Sequence, residues 1–181
     1  MELIKSDEQE VYAYSVEVIL STAVTLLSIY ILAFVVHSVL SSSFFLLGFF
    51  VSRGFCGGYH AKHHFTCYLT SMLNYGLFLF FQAAFHITEY KRWMLYIPLF
   101  ISLLSVLIFA PMDHPNNPMT DLQKKKGRKR ASIFIVSFVC AICICNHFIE
   151  NKTVLTAIVF GVFSTGVSLI IAFLERIKIR R

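Results

Sequence analysis

The chain has 181 residues, of which 57% are hydrophobic and 14% charged, and a net charge of +6. An ordinary soluble domain carries about 25% charged residues, so this composition excludes a water-soluble globular protein. Aromatics reach 15%, with 19 Phe beside a single Trp, which suits a lipid-facing surface better than a small globular core.

The N-terminus, MELIKSDEQEVYAYS, carries acids and has no short apolar stretch ending at a small-residue cleavage site. It does not read as a removable signal peptide, and the first hydrophobic segment is expected to stay in the mature protein. Six apolar stretches follow: Val16–Val36, Ser38–Val51, Phe65–Thr88, Met94–Ala110, Ser132–Ile149 and Thr153–Leu174. A spanning helix needs roughly 20 apolar residues. The first, third and last stretches meet that comfortably, the fourth and fifth lie near the lower limit, and Ser38–Val51 is short enough to be tilted or re-entrant. Long continuous apolar runs suit helices, because backbone polar groups must be satisfied within the segment in lipid, whereas barrel strands alternate. The expected fold is all-α: a polytopic membrane bundle of about six helices forming a single domain over residues 1–181.

Charge gives an orientation. With the N-terminus cytoplasmic and all six stretches crossing, 13 of the 16 Lys and Arg fall inside, leaving only Lys91, Arg92 and Lys152 outside. The positive-inside rule favours that arrangement, with both termini cytoplasmic. The densest run is KKKGRKR at Lys124–Arg130. It reads either as a topology determinant resting on anionic lipid headgroups or as a docking surface for an acidic peptide segment. A nucleic-acid partner is not expected for a membrane-pinned run of this size. Just before it, APMDHPNNPMTD carries Pro111, Pro115 and Pro118, which stop the fourth helix and hold an extended or turned connector.

Between the second and third stretches, SRGFCGGYHAKHHFTCYLTS gathers Arg, paired Gly, three His and two Cys. Two chemistries fit. In the first, Cys67 attacks a carbonyl as thiolate and a histidine takes its proton. If the third helix begins near Phe65, Cys67 lies in its first turn, where the helix dipole favours an anion. On one continuous helix His60 would stand about 10 Å from Cys67, too far for direct proton transfer. His60 can serve only if the helix starts after it or the loop folds back, a freedom that Gly57 and Gly58 supply. His63 and His64 are closer on any helix. In the second chemistry His60, His64 and Cys67, at i, i+4 and i+7, bind a metal such as Zn²⁺. That segment has no Asp or Glu to act as base and no fourth ligand nearby, so no metal and no cofactor is expected. A plain structural turn with a half-buried cysteine is the third alternative.

The pattern Arg53, Gly57-Gly58, His60 and Cys67, followed directly by an apolar span, resembles the accessory gene regulator B (AgrB) family of quorum-sensing membrane endopeptidases. The AP-x-D-x-x-x-x-P stretch at Ala110–Pro118 and the basic run after it extend the resemblance over nearly the whole chain. The resemblance implies a cysteine endopeptidase of the bacterial cell membrane, with its active site at the cytoplasmic face. It implies His60 and Cys67 as the catalytic pair, and a short amphipathic AgrD-like propeptide as substrate. The C-terminal tail of the propeptide is removed through a thioester acyl-enzyme, and an internal side chain closes a thiolactone or lactone. Arg53, Gly57, Gly58, Lys124, Lys125 and Lys126 are supporting or substrate-binding candidates. Arg53 reads equally well as an interfacial snorkelling anchor. Membrane lipids, and from the family a homodimer, are the other expected partners.

The remaining residues carry less. Cys140, Cys143 and Cys145 have no His or acid among them and are expected to be buried apolar thiols, and Cys56 a bystander. Asn74 and Gln82, in the third span, need polar partners. The competing class is a small transporter, whose mark would be acids buried mid-span or broken helices meeting at the midplane. Gly161 and Gly166 alone do not make such a pair.

Overall fold

The computed structural model describes residues 6–57, 64–87, 92–112, 120–149 and 152–179. They form six helices: α1 (Ser6–Val35), α2 (Val39–Cys56), α3 (His64–Ile87), α4 (Arg92–Phe109), α5 (Asp121–Phe148) and α6 (Lys152–Ile179). Among the described residues there is no strand. The all-α expectation and the count of six hold.

The elements differ from the apolar stretches in physically telling ways. Four helices are long and apolar enough to cross a membrane: α1 over Val16–Val35, α2, α5, and α6 over Lys152–Leu174. The second stretch therefore yields an 18-residue helix rather than a short insertion, because it runs on through Ser52–Cys56. α3 is not among the four although it has 24 residues, since Asn74, Gln82 and several hydroxyls dilute it. α4 contributes a shorter apolar helix, Leu95–Phe109, with Pro98 inside it.

The largest difference is at α5, which starts eleven residues before its apolar stretch. Thr120 builds a capping box: its hydroxyl accepts from Gln123 N at 3.3 Å, and Gln123 Oε1 accepts from Thr120 N at 2.8 Å. Two otherwise orphaned donors are thereby satisfied. Asp121 in the first turn complements the positive helix end. The whole basic run is consequently helical. At 28 residues α5 is about 42 Å long, against about 30 Å of hydrocarbon, so its charged end stands clear of the lipid core.

The helices group into two compact units, one comprising Met1–Val39 and Ala61–Leu77, the other Leu40–His60 and Phe78–Arg181. In the first unit, Tyr68 Oη donates to Ser28 Oγ at 3.3 Å, joining α3 to α1. Hydroxyls along α1 donate to carbonyls one turn back, as Thr22 does to Val18 and Thr25 to Ser21 (both 2.8 Å), which satisfies them within the helix. α1 ends in a Schellman turn: His37 sits at φ 53, Ser38 N donates to Ala33 O at 2.8 Å, and His37 N to Phe34 O at 3.2 Å.

The second unit is built around α6, half of whose apolar window is buried. Lipid offers no hydrophobic drive between helices, so close packing depends on small residues. Gly48 of α2 lies against the Ile158 carbonyl of α6, and Gly161 of α6 against the Phe45 carbonyl and the Phe49 amide of α2, leaving no room for a Cβ. Ser52 and Thr165 share a buried hydrogen bond of 2.7 Å at the same crossing. On the other flank, Gly166 faces Ser102 and Ser105 of α4. Gln82 finds the polar partner expected for it: its Nε2 donates to Ser41 Oγ of α2 at 2.9 Å.

Candidate functional site

Cys67 is the fourth residue of α3, which opens at His64, and its side chain is half-buried. The first turn of a helix holds unpaired N–H groups and the positive end of the dipole, and both favour an anion such as a thiolate. Thr70 Oγ1 donates to the Cys67 carbonyl at 3.0 Å, a contact that leaves the sulfur free of that hydroxyl. Asn74 Nδ2 donates to Thr70 O at 3.0 Å, so this amide is satisfied within its own helix. The condition set for His60, that the helix begin after it, falls on residues 58–63, which lie outside the described residues. His60 itself, with Gly58, His63, Asp113, His114, Pro115 and Pro118, lies outside the described residues.

Arg53 is in the last turn of α2, half-buried, with its guanidinium carbon 5.4 Å from the centroid of the Phe49 ring. Cation–π contact and an apolar stem anchor it at the helix end. α2 terminates with Gly57 N donating to Arg53 O at 3.0 Å. Gly57 itself is at φ 72, in the left-handed region that favours glycine. Its neighbour Cys56 is fully buried among Val106, Ala110, Ala131 and Ile135. The end of α2 thus packs on the end of α4 and the start of α5, and Phe55 stacks on Phe134 at 4.7 Å.

Lys124, Lys125 and Lys126 are all exposed on the first turns of α5, as are Arg128, Lys129 and Arg130. Ala131, Ile135 and Ile142 form the buried stripe of that helix. The cations therefore ring these turns, with Lys124 and Arg128 in line with the buried stripe two turns further on and the other four turned away from it. Cys140 and Cys143 correct the expectation of buried thiols: they fall off the stripe and are exposed, with Cys145 half-buried. Among the described residues no group of three His, Cys, Asp or Glu could hold a metal ion. The three-ligand alternative at His60, His64 and Cys67 includes a residue outside them.

Glu17 was not singled out from the sequence. It stands at the edge of the first apolar stretch and lines an open groove of about 410 Å³ with Leu20, Ser21, Val24, Phe65 and Tyr68. Phe65 and Tyr68 bracket Cys67 in sequence. At about 100° per residue, however, Cys67 lies roughly 130° around α3 from the middle of that pair, so the groove is not the pocket of its sulfur.

Six helices, four of them suited to crossing a bilayer, define an all-helical membrane protein. The chain belongs to the accessory gene regulator B family, whose sequence profile matches residues 1–172. It is similar to an AgrB-like protein 2 of Clostridium perfringens strain 13, with 24% identity over 168 residues that cover 87% of this chain and 78% of the relative. It is also similar to an AgrB-like protein of Listeria monocytogenes EGD-e, with 25% identity over 152 residues, 82% of this chain and 73% of the relative. No solved structure matches the chain. The membership gives the protein a role in the accessory gene regulator system.

Proposed function

We propose that the protein is a multi-pass membrane cysteine endopeptidase that removes the C-terminal tail of a short amphipathic propeptide and promotes its cyclisation. The observation that carries this reading is the placement of Cys67, half-exposed in the first turn of α3, in a chain of this family. His60 is the base. It accepts the thiol proton as sulfur attacks the scissile carbonyl carbon. The tetrahedral intermediate collapses with cleavage of the C–N bond, and the imidazolium returns its proton to the departing amine of the tail. The acyl group remains on Cys67 as a thioester.

A thioester keeps much of the activation of the bond that was broken. A thiol or hydroxyl within the peptide attacks its carbonyl, the bond to Cys67 breaks, and the released thiolate regains a proton. The product is a thiolactone or lactone, and apolar helices around the site help keep water from hydrolysing the acyl-enzyme first. The thirteen-to-three charge asymmetry supports a cytoplasmic site. The exposed cations of α5 and Arg53 suit an acidic tail on the substrate.

The test is co-expression with a candidate propeptide, following its mass for wild type and Cys67→Ala. Wild type should release the tail and form an adduct sensitive to hydroxylamine, and Cys67→Ala should do neither, a loss of at least about 10³-fold in turnover. Equal processing by Cys67→Ala would remove Cys67 as nucleophile.

A further inference from the structure

One side of α5 carries an apolar strip and a set of cations in a single line. Ile133, Val136 and Ile144 are 57%, 49% and 60% exposed, and Cys140 is exposed with them. At about 100° per residue these four share an arc of roughly 80°, on the far side of the helix from the buried Ala131, Ile135 and Ile142. Followed toward the N-terminus, the same side meets Lys126, Lys129 and Arg130, seven, four and three residues before Ile133 and all exposed. Lys124 and Arg128 stand on the other side, where Arg128 Nη2 donates to the Leu107 carbonyl at 3.5 Å. The level of these turns is fixed by α4: Pro111 Cγ lies only 3.0 Å from where a Cβ of Gly127 would be.

We propose that this side of α5 binds an anionic phospholipid of the surrounding bilayer, its phosphate held by Lys126, Lys129 and Arg130 and its acyl chains laid along Ile133, Val136 and Cys140. The dimensions fit. From Ile133 to Ile144 the strip is about 16 Å long, and one leaflet of hydrocarbon is half of roughly 30 Å. Arg130 stands about 4.5 Å beyond Ile133 along the axis, and Lys126 about 6 Å beyond Arg130, the depth at which headgroups begin. A guanidinium fork matches two phosphate oxygens, and the two ammonium groups add charge without demanding a fixed geometry. Charge also selects among lipids. A zwitterionic headgroup brings its own cation beside its phosphate and is repelled by three more, whereas an anionic headgroup such as phosphatidylglycerol carries none. The capping box at Thr120 holds the three cations on a helix before any lipid arrives, so little ordering opposes binding. This site is independent of the peptidase reading.

Two pairs of substitutions with the same spacing and the same charge loss separate a site from a diffuse field. Lys126→Gln with Arg130→Gln empties the lipid side, and Lys124→Gln with Arg128→Gln the other. The full-length protein in nonionic detergent is offered phosphatidylglycerol and phosphatidylcholine of identical chains in competition, and bound lipid is counted by native mass spectrometry. Wild type should retain phosphatidylglycerol over phosphatidylcholine by at least about 5-fold, and the first pair should lower phosphatidylglycerol binding about 10-fold, several-fold per cation. The second pair should stay within about twofold of wild type. Equal losses in both pairs would overturn the site and leave only a general attraction to the membrane. Two measurements on wild type decide the matter without any variant. Equal retention of the two lipids would overturn the proposal. So would displacement of phosphatidylglycerol by the same concentration of glycerophosphoglycerol, the headgroup without chains, since the apolar strip would then contribute nothing. Displacement by an acidic peptide at that concentration would assign the cations to a protein partner instead.

Discussion

The last turn of α2 and the first turn of α3 each carry a cysteine, eleven residues apart, and their surroundings differ in kind. Cys56 is fully buried, walled by Val106, Ala110, Ala131 and Ile135 from helices distant in sequence. Cys67 is half-exposed at a helix N-terminus. Thiolate formation requires that a charge be solvated or paired, and an apolar wall offers neither. The wall makes the first sulfur a packing atom, whereas the helix end leaves the second reachable by a carbonyl carbon. Identical side chains thus acquire different surroundings from where their helices stop and start.

The sharpest way to break this comparison is Cys67→Ala, which should lose processing even though the thiol of Cys56 remains. Next in size is a test of the scaffold beneath Cys56. Gly161 stands where a Cβ would collide with the Phe45 carbonyl and lie 2.7 Å from the Phe49 amide, both rigid backbone groups of α2. Gly161→Ala should destabilise the protein by about 2–3 kcal/mol, the usual scale of an overpacked core, read as a fall in detergent melting temperature. No change would mean that α2 and α6 can separate at little cost. Smaller still is Cys56→Ser, which puts a hydroxyl among apolar side chains. An unsatisfied buried hydroxyl costs about 1–3 kcal/mol, so stability should fall while turnover per folded molecule stays near wild type. A collapse of turnover at unchanged stability would show Cys56 to be more than a packing atom.

Much of this arrangement was legible in the sequence, and the gaps have physical causes. Six helices could be counted because lipid imposes long apolar runs, and Gln82 was marked as needing a partner because an amide in such a run must bond to something. The extent of α5 was missed because hydropathy ends at Ser132, although Thr120 and Gln123 spell a capping box that could have placed its start. The second stretch looked short for the converse reason: Ser52, Arg53 and Gly54 interrupt the hydropathy but not the helix. Burial of Cys56 and exposure of Cys140 and Cys143 depend on which face of each helix meets its neighbours. Contacts such as Gly57 on Met112 join residues with no local pattern in common, so no periodicity announces them. Glu17 went unmarked because a lone acid at the edge of an apolar run looks like its boundary.

The capping box also decides what the basic run can do. Were Lys124–Lys126 in a flexible loop, their ammonium groups would search a large volume, and ordering them on a bound tail would oppose binding. On the first turns of α5 they are held at fixed spacing with Arg128, Lys129 and Arg130, all exposed, one to two turns ahead of the buried Ala131 and Ile135. The positive helix end beneath them adds to the field of the cations. Such a surface acts on encounter and docking rather than on bond cleavage. Neutralising Lys124, Lys125 and Lys126 together to Gln should therefore raise KM for an acidic-tailed propeptide by about 3–10-fold at low salt and leave kcat near wild type. Because exposed charges are screened over about 8 Å at physiological ionic strength, the gap between triple variant and wild type should close as salt is added. A propeptide with its tail acids amidated should show the same KM for both proteins. If kcat falls instead, the basic turns reach the chemistry itself, and the division between a docking helix and a catalytic helix start would have to be redrawn.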